Sequence, residues 1–135
     1  MNRRTILVVD DEWTQRASMR AILSRAGYSV WEAADYQDAL EVRQSHPREI
    51  DLLLIDLILP GGNGYELAQA MTAQEPNLKA LFVSGQAGAE LRKFLDTPVP
   101  EVQFLRKPFQ PAELLERVRA LLESADPIPG AAAGS

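Results

Sequence analysis

The sequence predicts an α/β fold: a doubly wound, five-stranded parallel sheet with five helices. Three observations predict it. The short apolar runs are continuous rather than alternating, as in strands covered on both faces. Stretches with helical i, i+3, i+4, i+7 spacing separate those runs. The β-α order repeats along the chain, which points to a parallel sheet joined by right-handed crossovers.

Residues 6–9 (ILVV) form the first run, rich in β-branched side chains. Met19, Ile22, Leu23 and Ala26 mark the first helix, and Gly27 stands where a C-terminal cap belongs. Residues 28–31 are the second strand. Asp35, with Asp38 three residues on, resembles a capping arrangement ahead of Ala39 and Leu40, although the usual third residue is Glu or Gln. Residues 52–55 (LLLI) are the third strand. Leu67, Ala68 and Met71 give the third helix, closed by Pro76. Residues 78–83 are the fourth strand, 87–95 a short helix among glycines, and 102–105 the fifth strand. Pro111 suits a first helical turn, and Leu114, Leu115, Val118, Leu121 and Leu122 form the apolar stripe that follows. The periodicity stops at Ser124. Residues 1–123 therefore read as one domain and 124–135 (SADPIPGAAAGS) as a disordered tail or linker.

The 135 residues suffice for one domain with a real core. Fourteen Lys and Arg against 19 Asp and Glu give a formal charge of -5, which argues against nucleic acid as the main partner. The absence of cysteine excludes disulfides, thiolate catalysis and cysteine zinc sites, and suits a reducing cytoplasm. The N-terminal apolar run is too short for a signal peptide, and no run approaches the roughly 18 residues of a membrane span. A cytoplasmic protein without membrane insertion is expected.

In an open α/β sheet, ligands bind beyond the carboxyl ends of the strands. The first strand is followed by Asp10, Asp11 and Glu12, the third ends at Asp56, the fourth at Ser84, and the fifth is followed by Lys107 and Pro108. Asp51 lies at the opposite edge and is given no role. A buried carboxylate is costly unless it is paired or binds a metal. Like carboxylates at ~4 Å repel by about 4 kcal/mol per pair at an effective dielectric near 20. A hard divalent cation offsets that, and Mg²⁺ does so while leaving room for a phosphate oxygen. The chemistry this suggests is phosphoryl transfer onto the Asp56 carboxylate, with Mg²⁺ and Lys107 holding phosphoryl oxygens and Ser84 donating to another. Acids near a helix start are also ordinary capping residues, and that reading of Asp10 and Asp11 stands beside the metal one.

ILVVDDE, LLLIDLILPGGNGYEL, LFVSG and FLRKPF, in this order and at these intervals, resemble the receiver domain of two-component response regulators, including those like the chemotaxis regulator. The resemblance covers nearly all of residues 5–122. It implies a flavodoxin-like sheet of order 2-1-3-4-5 and a cis Lys107–Pro108 bond. It implies Asp56 as phosphoacceptor, and Asp10, Asp11, Asp56 and the Ile58 backbone carbonyl as Mg²⁺ ligands. It also implies Ser84, Lys107 and Phe104 as the phosphate-binding and switch residues. The implied activity is that of a signalling switch rather than an enzyme. A histidine kinase or phosphotransfer protein supplies the phosphoryl group. Ser84 is pulled inward, Phe104 turns into the vacated space, and a downstream protein reads the fourth helix, fifth strand and fifth helix. Phosphorylation-dependent dimerisation and a lasting monomer are both compatible with this.

Ile58 and Gln86 stand where the family tunes water access to the phosphoaspartate, and Tyr36 stands where glycine is frequent, which predicts a local change of turn. GGN before Gly64, LFVSG and FLRKPF also resemble receivers carried by hybrid histidine kinases. No DNA-binding segment follows residue 122, so direct transcriptional output is not expected. Two other classes fit these residues less well. A haloacid-dehalogenase-type phosphatase needs an acid two residues after its nucleophile, and Ile58 is there instead. A scaffold receiver usually loses an acid or the lysine, and this chain keeps them. His46, between Ser45 and Pro47, is expected to be a solvated loop residue, and Trp13 a possible fluorescence reporter beside the acids.

Overall fold

A computed structural model of the chain describes residues 3–95 and 99–124. The main elements alternate: β1 (Thr5–Val9), α1 (Trp13–Arg25), β2 (Ser29–Ala33), α2 (Tyr36–Ser45), β3 (Leu52–Asp56), α3 (Gly64–Gln74), β4 (Lys79–Ser84), α4 (Gln86–Leu91), β5 (Phe104–Arg106) and α5 (Pro111–Glu123). A two-residue-per-strand antiparallel hairpin, Ile58–Leu59 with Gly62–Asn63, lies between β3 and α3. The five longer strands form one parallel sheet in the order β2-β1-β3-β4-β5. This is the flavodoxin-like arrangement that the resemblance implies. The expected tail beyond Ser124 lies outside the described residues.

The continuous apolar runs are explained by two cores, one on each face. Leu7, Val9, Leu53, Ile55 and Phe82 pack with Ala39 of α2 and Leu67, Ala68 and Met71 of α3. Their neighbours Ile6, Val8, Leu52, Leu54, Leu81 and Val83 pack with Met19 and Leu23 of α1 and Leu114, Val118, Leu121 and Leu122 of α5. Successive strand residues point to opposite faces, so a strand buried on both sides must be apolar at every position.

Capping follows the sequence closely. Asp35 Oδ1 accepts from Asp38 N at 2.8 Å, and Asp38 Oδ2 reaches back to Ala34 N at 3.0 Å. Aspartate thus closes a reciprocal cap, one residue further back than a glutamate would. At α5 the box is completed by Glu113, whose Oε1 accepts from Gln110 N at 2.8 Å.

Several boundaries move for physical reasons. β2 runs past Trp31 through Glu32 to Ala33 in register with β1. It is an edge strand, and its acid is neutralised by Arg16 at 3.1 Å and Arg20 at 2.8 Å. The fifth strand begins at Phe104 rather than 102, because Glu101–Gln103 is a 3₁₀ turn with Val102 54% exposed. The expected helix over 87–95 is α4 followed by a 3₁₀ turn, Arg92–Phe94. His46 is not simply solvated. It caps α2 and stacks on Trp31 with ring centroids 3.9 Å apart. Asp51 has an architectural role: Oδ2 accepts from Thr5 N at 2.7 Å and ties β1 to β3 at the edge away from the site. Tyr36 lies against the loop after β3, with its ring 3.2 Å from where a Cβ on Gly62 would stand.

Candidate functional site

The parallel sheet brings the ends of β1, β3, β4 and β5 to one edge. Asp10 leaves β1 held by its backbone: its N–H donates to Ala33 O at 3.2 Å, and its carbonyl accepts from Arg16 Nη1 at 2.7 Å. The Asp10 side chain is buried, with Oδ1 accepting from Glu12 N at 3.0 Å. Asp56 closes β3. Its Oδ1 accepts from Ile58 N at 2.9 Å and from Ser84 Oγ at 2.8 Å, and its Oδ2 accepts from Lys107 Nζ at 2.9 Å. Lys107 directly follows β5 and is joined to Pro108 by a cis bond, and its backbone N–H donates to Ser84 O at 2.9 Å. Its ammonium also donates to Asp10 Oδ2 at 2.7 Å and to Gln15 Oε1. A cleft of about 750 Å³ opens over Asp10, Asp11, Asp56 and Lys107, with Met19, Ile22 and Phe109 along its apolar side.

Burial alone would push the Lys107 pKa down, but hydrogen bonds and charge attraction from Asp10 and Asp56 outweigh it and leave it raised above 10.5. A lysine whose folded pKa is raised gives stability that is fully present below its unfolded pKa and is lost as pH rises through the folded value. Urea unfolding should therefore show a component that persists through neutral and mildly alkaline pH and disappears above about pH 10.5, and Lys107→Met should lack it.

Two glycines make the geometry possible. A Cβ on Gly64 would lie 2.1 Å from the Asp56 carbonyl oxygen, and one on Gly88 would lie 1.8 Å from Ser84 Oγ. The N-termini of α3 and α4 can sit directly on the end of β3 and on the Ser84 hydroxyl only because those side chains are missing.

The sequence suggests three converging carboxylates, and the structure brings two together. Asp11 is exposed on the rim of the cleft. Lys107 bridges Asp10 and Asp56, so the like-charge repulsion is already partly offset. Among the described residues no three Asp, Glu, His or Cys side chains are grouped to hold a metal as they stand. The donor chemistry still fits a hard cation, since Asp10, Asp11 and Asp56 offer only carboxylate oxygens.

Phe104 is 8% exposed, and the Arg92 guanidinium lies over its ring at 4.9 Å. Arg117 Nη1 donates to the Phe104 carbonyl at 2.7 Å and to Glu101 O at 2.6 Å, tying α5 to the start of β5. Ser84 stands at hydrogen-bond distance from Asp56, so the inward movement expected of its hydroxyl starts from a position already close to the site. Gln15, Arg16, Gly64, Gly88 and Arg92 are neighbours that the sequence reading missed. Only Gln15 and Arg16 left a trace there, as polar residues on the first turn after the acids.

A family model for the response regulator receiver domain matches residues 6–119. The chain belongs to the response regulator receiver family. The receiver is 34% identical over 117 residues to the aerobic respiration control protein ArcA of Escherichia coli strain K12, covering 87% of this chain and 48% of that one. It is 35% identical over 123 residues to the sensor kinase CckA of Brucella abortus strain 2308, covering 90% of this chain and 13% of that protein. A solved response regulator receiver protein from Sinorhizobium medicae WSM419 superposes with a TM-score of 0.80 at 27% identity, over 93% of this chain and 98% of that one. The chain thus spans about half or less of these curated relatives and nearly the whole of a solved receiver. Receivers are phosphoacceptor signalling domains that work with histidine kinases or phosphotransfer proteins and with downstream effectors. Among the described residues no helix is long and apolar enough to cross a membrane.

Proposed function

We propose that Asp56 accepts a phosphoryl group from a phosphohistidine donor, with Mg²⁺ as cofactor, and that the resulting change is read by a protein partner in the cytoplasm. The observation that carries this is the unequal bonding of the two Asp56 oxygens. Oδ1 accepts two hydrogen bonds, from Ile58 N and Ser84 Oγ, whereas Oδ2 accepts one, from Lys107. A carboxylate oxygen has about two lone-pair sites. Oδ2 therefore keeps electron density for attack and faces the Lys107 ammonium. The Oδ2–phosphorus bond forms as the donor's phosphorus–nitrogen bond breaks, and the electron pair leaves on the imidazole. An ionised carboxylate needs no base for this.

Lys107 would hold a phosphoryl oxygen, and the Ser84 hydroxyl would turn from Asp56 Oδ1 to another. Asp10, Asp11, Asp56 and the Ile58 carbonyl would hold Mg²⁺, which when bound neutralises charge on the transferring group. Ser84 is buried beneath α4, and Gly88 lets that helix touch it, so movement of the hydroxyl is felt by the helix. Phe104 and Arg92 would carry the change to the surface of α4, β5 and α5. Residues 1–123 form the receiver in this reading, and 124–135 a tail or linker.

The test is intact mass after incubation with Mg²⁺ and acetyl phosphate. Wild type should gain one phosphoryl group and Asp56→Asn none. A gain that persists in Asp56→Asn would refute the assignment.

A further inference from the structure

Resting on this reading of Asp56, the surroundings of Lys107 assign a role to Gln15. A lysine ammonium has three N–H donors and no acceptor. Three oxygens take them: Asp10 Oδ2 at 2.7 Å, Asp56 Oδ2 at 2.9 Å, and Gln15 Oε1. Two of these partners change when a phosphoryl group arrives. Asp56 Oδ2 becomes a bridging oxygen and loses its negative charge as it bonds to phosphorus. Asp10 is the carboxylate the cation would claim. Gln15 Oε1 is neither consumed nor recruited.

Gln15 is itself held. Its Nε2 donates to Glu12 Oε2 at 2.9 Å, and Glu12 N donates to Asp10 Oδ1 at 3.0 Å. The carboxamide thus sits on the first turn of α1 with its oxygen turned to the lysine. It is also neutral. A carboxylate in its place would hold the ammonium and at the same time reduce the positive charge available to a phosphoryl oxygen.

We propose that Gln15 is a positioning residue. It keeps the Lys107 ammonium aimed at the reacting oxygen while Asp10 and Asp56 exchange their partners.

The test compares wild type, Gln15→Leu and Gln15→Glu. The first readout is the ¹⁵N NMR signal of the Lys107 ammonium, which hydrogen bonding shields from exchange. Lys79, Lys93 and Lys107 are the chain's lysines, so the signal is assignable by Lys107→Met. In wild type it should persist in the free protein and after loading with Mg²⁺ and beryllofluoride. Gln15→Leu should lose it in the loaded protein, and Gln15→Glu, which keeps the acceptor, should retain it. The second readout is the rate of phosphoryl gain from acetyl phosphate, expected to fall about tenfold in Gln15→Leu, as for a modest misplacement of a reacting group. A Lys107 signal in loaded Gln15→Leu equal to wild type would overturn the proposal. So would a Gln15→Glu protein that loses the signal as Gln15→Leu does. If wild type gains no phosphoryl group, the Asp56 reading fails instead; a Lys107 signal weaker in free Gln15→Leu than in free wild type would still show that Gln15 holds Lys107, and an equal signal would show that it does not.

Discussion

Lys107→Met should abolish detectable phosphoryl gain and destabilise the fold by about 3 kcal/mol, the lower end of the range for breaking a buried ion pair. The Asp10 and Asp56 side chains are 1% and 12% exposed, and Lys107 is the cation that both of them touch. Without it, two carboxylates share a cleft with little water to screen them. The lower end applies because the cleft is open on one side and the lysine is itself 16% exposed. On the kinetic side, a preorganised donor aimed at developing charge is commonly worth about 10²–10³ in rate. Urea unfolding and intact mass measure the two effects on the same sample. A variant as stable as wild type would show that the bridge contributes little.

Gly64→Ala should cost about 2–3 kcal/mol and slow phosphorylation together, because overpacking a tight contact strains it. The added methyl would fall 2.1 Å from the Asp56 carbonyl oxygen and 3.1 Å from Ile55 Cγ1. The first of these is backbone at the end of the central strand and cannot rotate aside. Either α3 lifts from β3 or Asp56 shifts, and in both cases the Ile58 N–H and Lys107 lose their aim at the carboxylate. The measurement is thermal or urea unfolding alongside the rate of mass gain. An alanine variant with wild-type stability and rate would mean that α3 has room to move.

The parts of the site that were legible in the sequence are those that end an apolar run. Asp56 and Ser84 each close a buried strand, and Asp10 and Lys107 each follow one, so one-dimensional pattern and the strand-end rule place them at a common edge. The parts that were not legible depend on how closely two elements approach. Nothing in the run GQAG says that Gly88 must touch Ser84, and nothing in NGYEL says that Gly64 sits on the Asp56 carbonyl. Val102 misled because a β-branched residue beside Phe104 reads as strand, yet it is exposed in a 3₁₀ turn. Glu32 hid the end of β2, since an acid in a strand is tolerated here only through Arg16 and Arg20, which arrive from α1. The resemblance implies Asp11 as the direct metal ligand and Asp10 as its companion, but Asp11, two residues past the end of β1, stands exposed on the rim, while Asp10, one residue past it, is buried.

In the proposed switch Asp56, and no other group at this edge, takes the phosphoryl group. Protein treated with Mg²⁺ and acetyl phosphate would be reduced with borohydride, which converts an acyl phosphate to an alcohol, then digested and mapped by mass spectrometry. The predicted result is homoserine at position 56, with Asp10, Asp11 and Ser84 unmodified. Modification at Asp10 or Asp11, or a borohydride-resistant phosphate on Ser84, would contradict it.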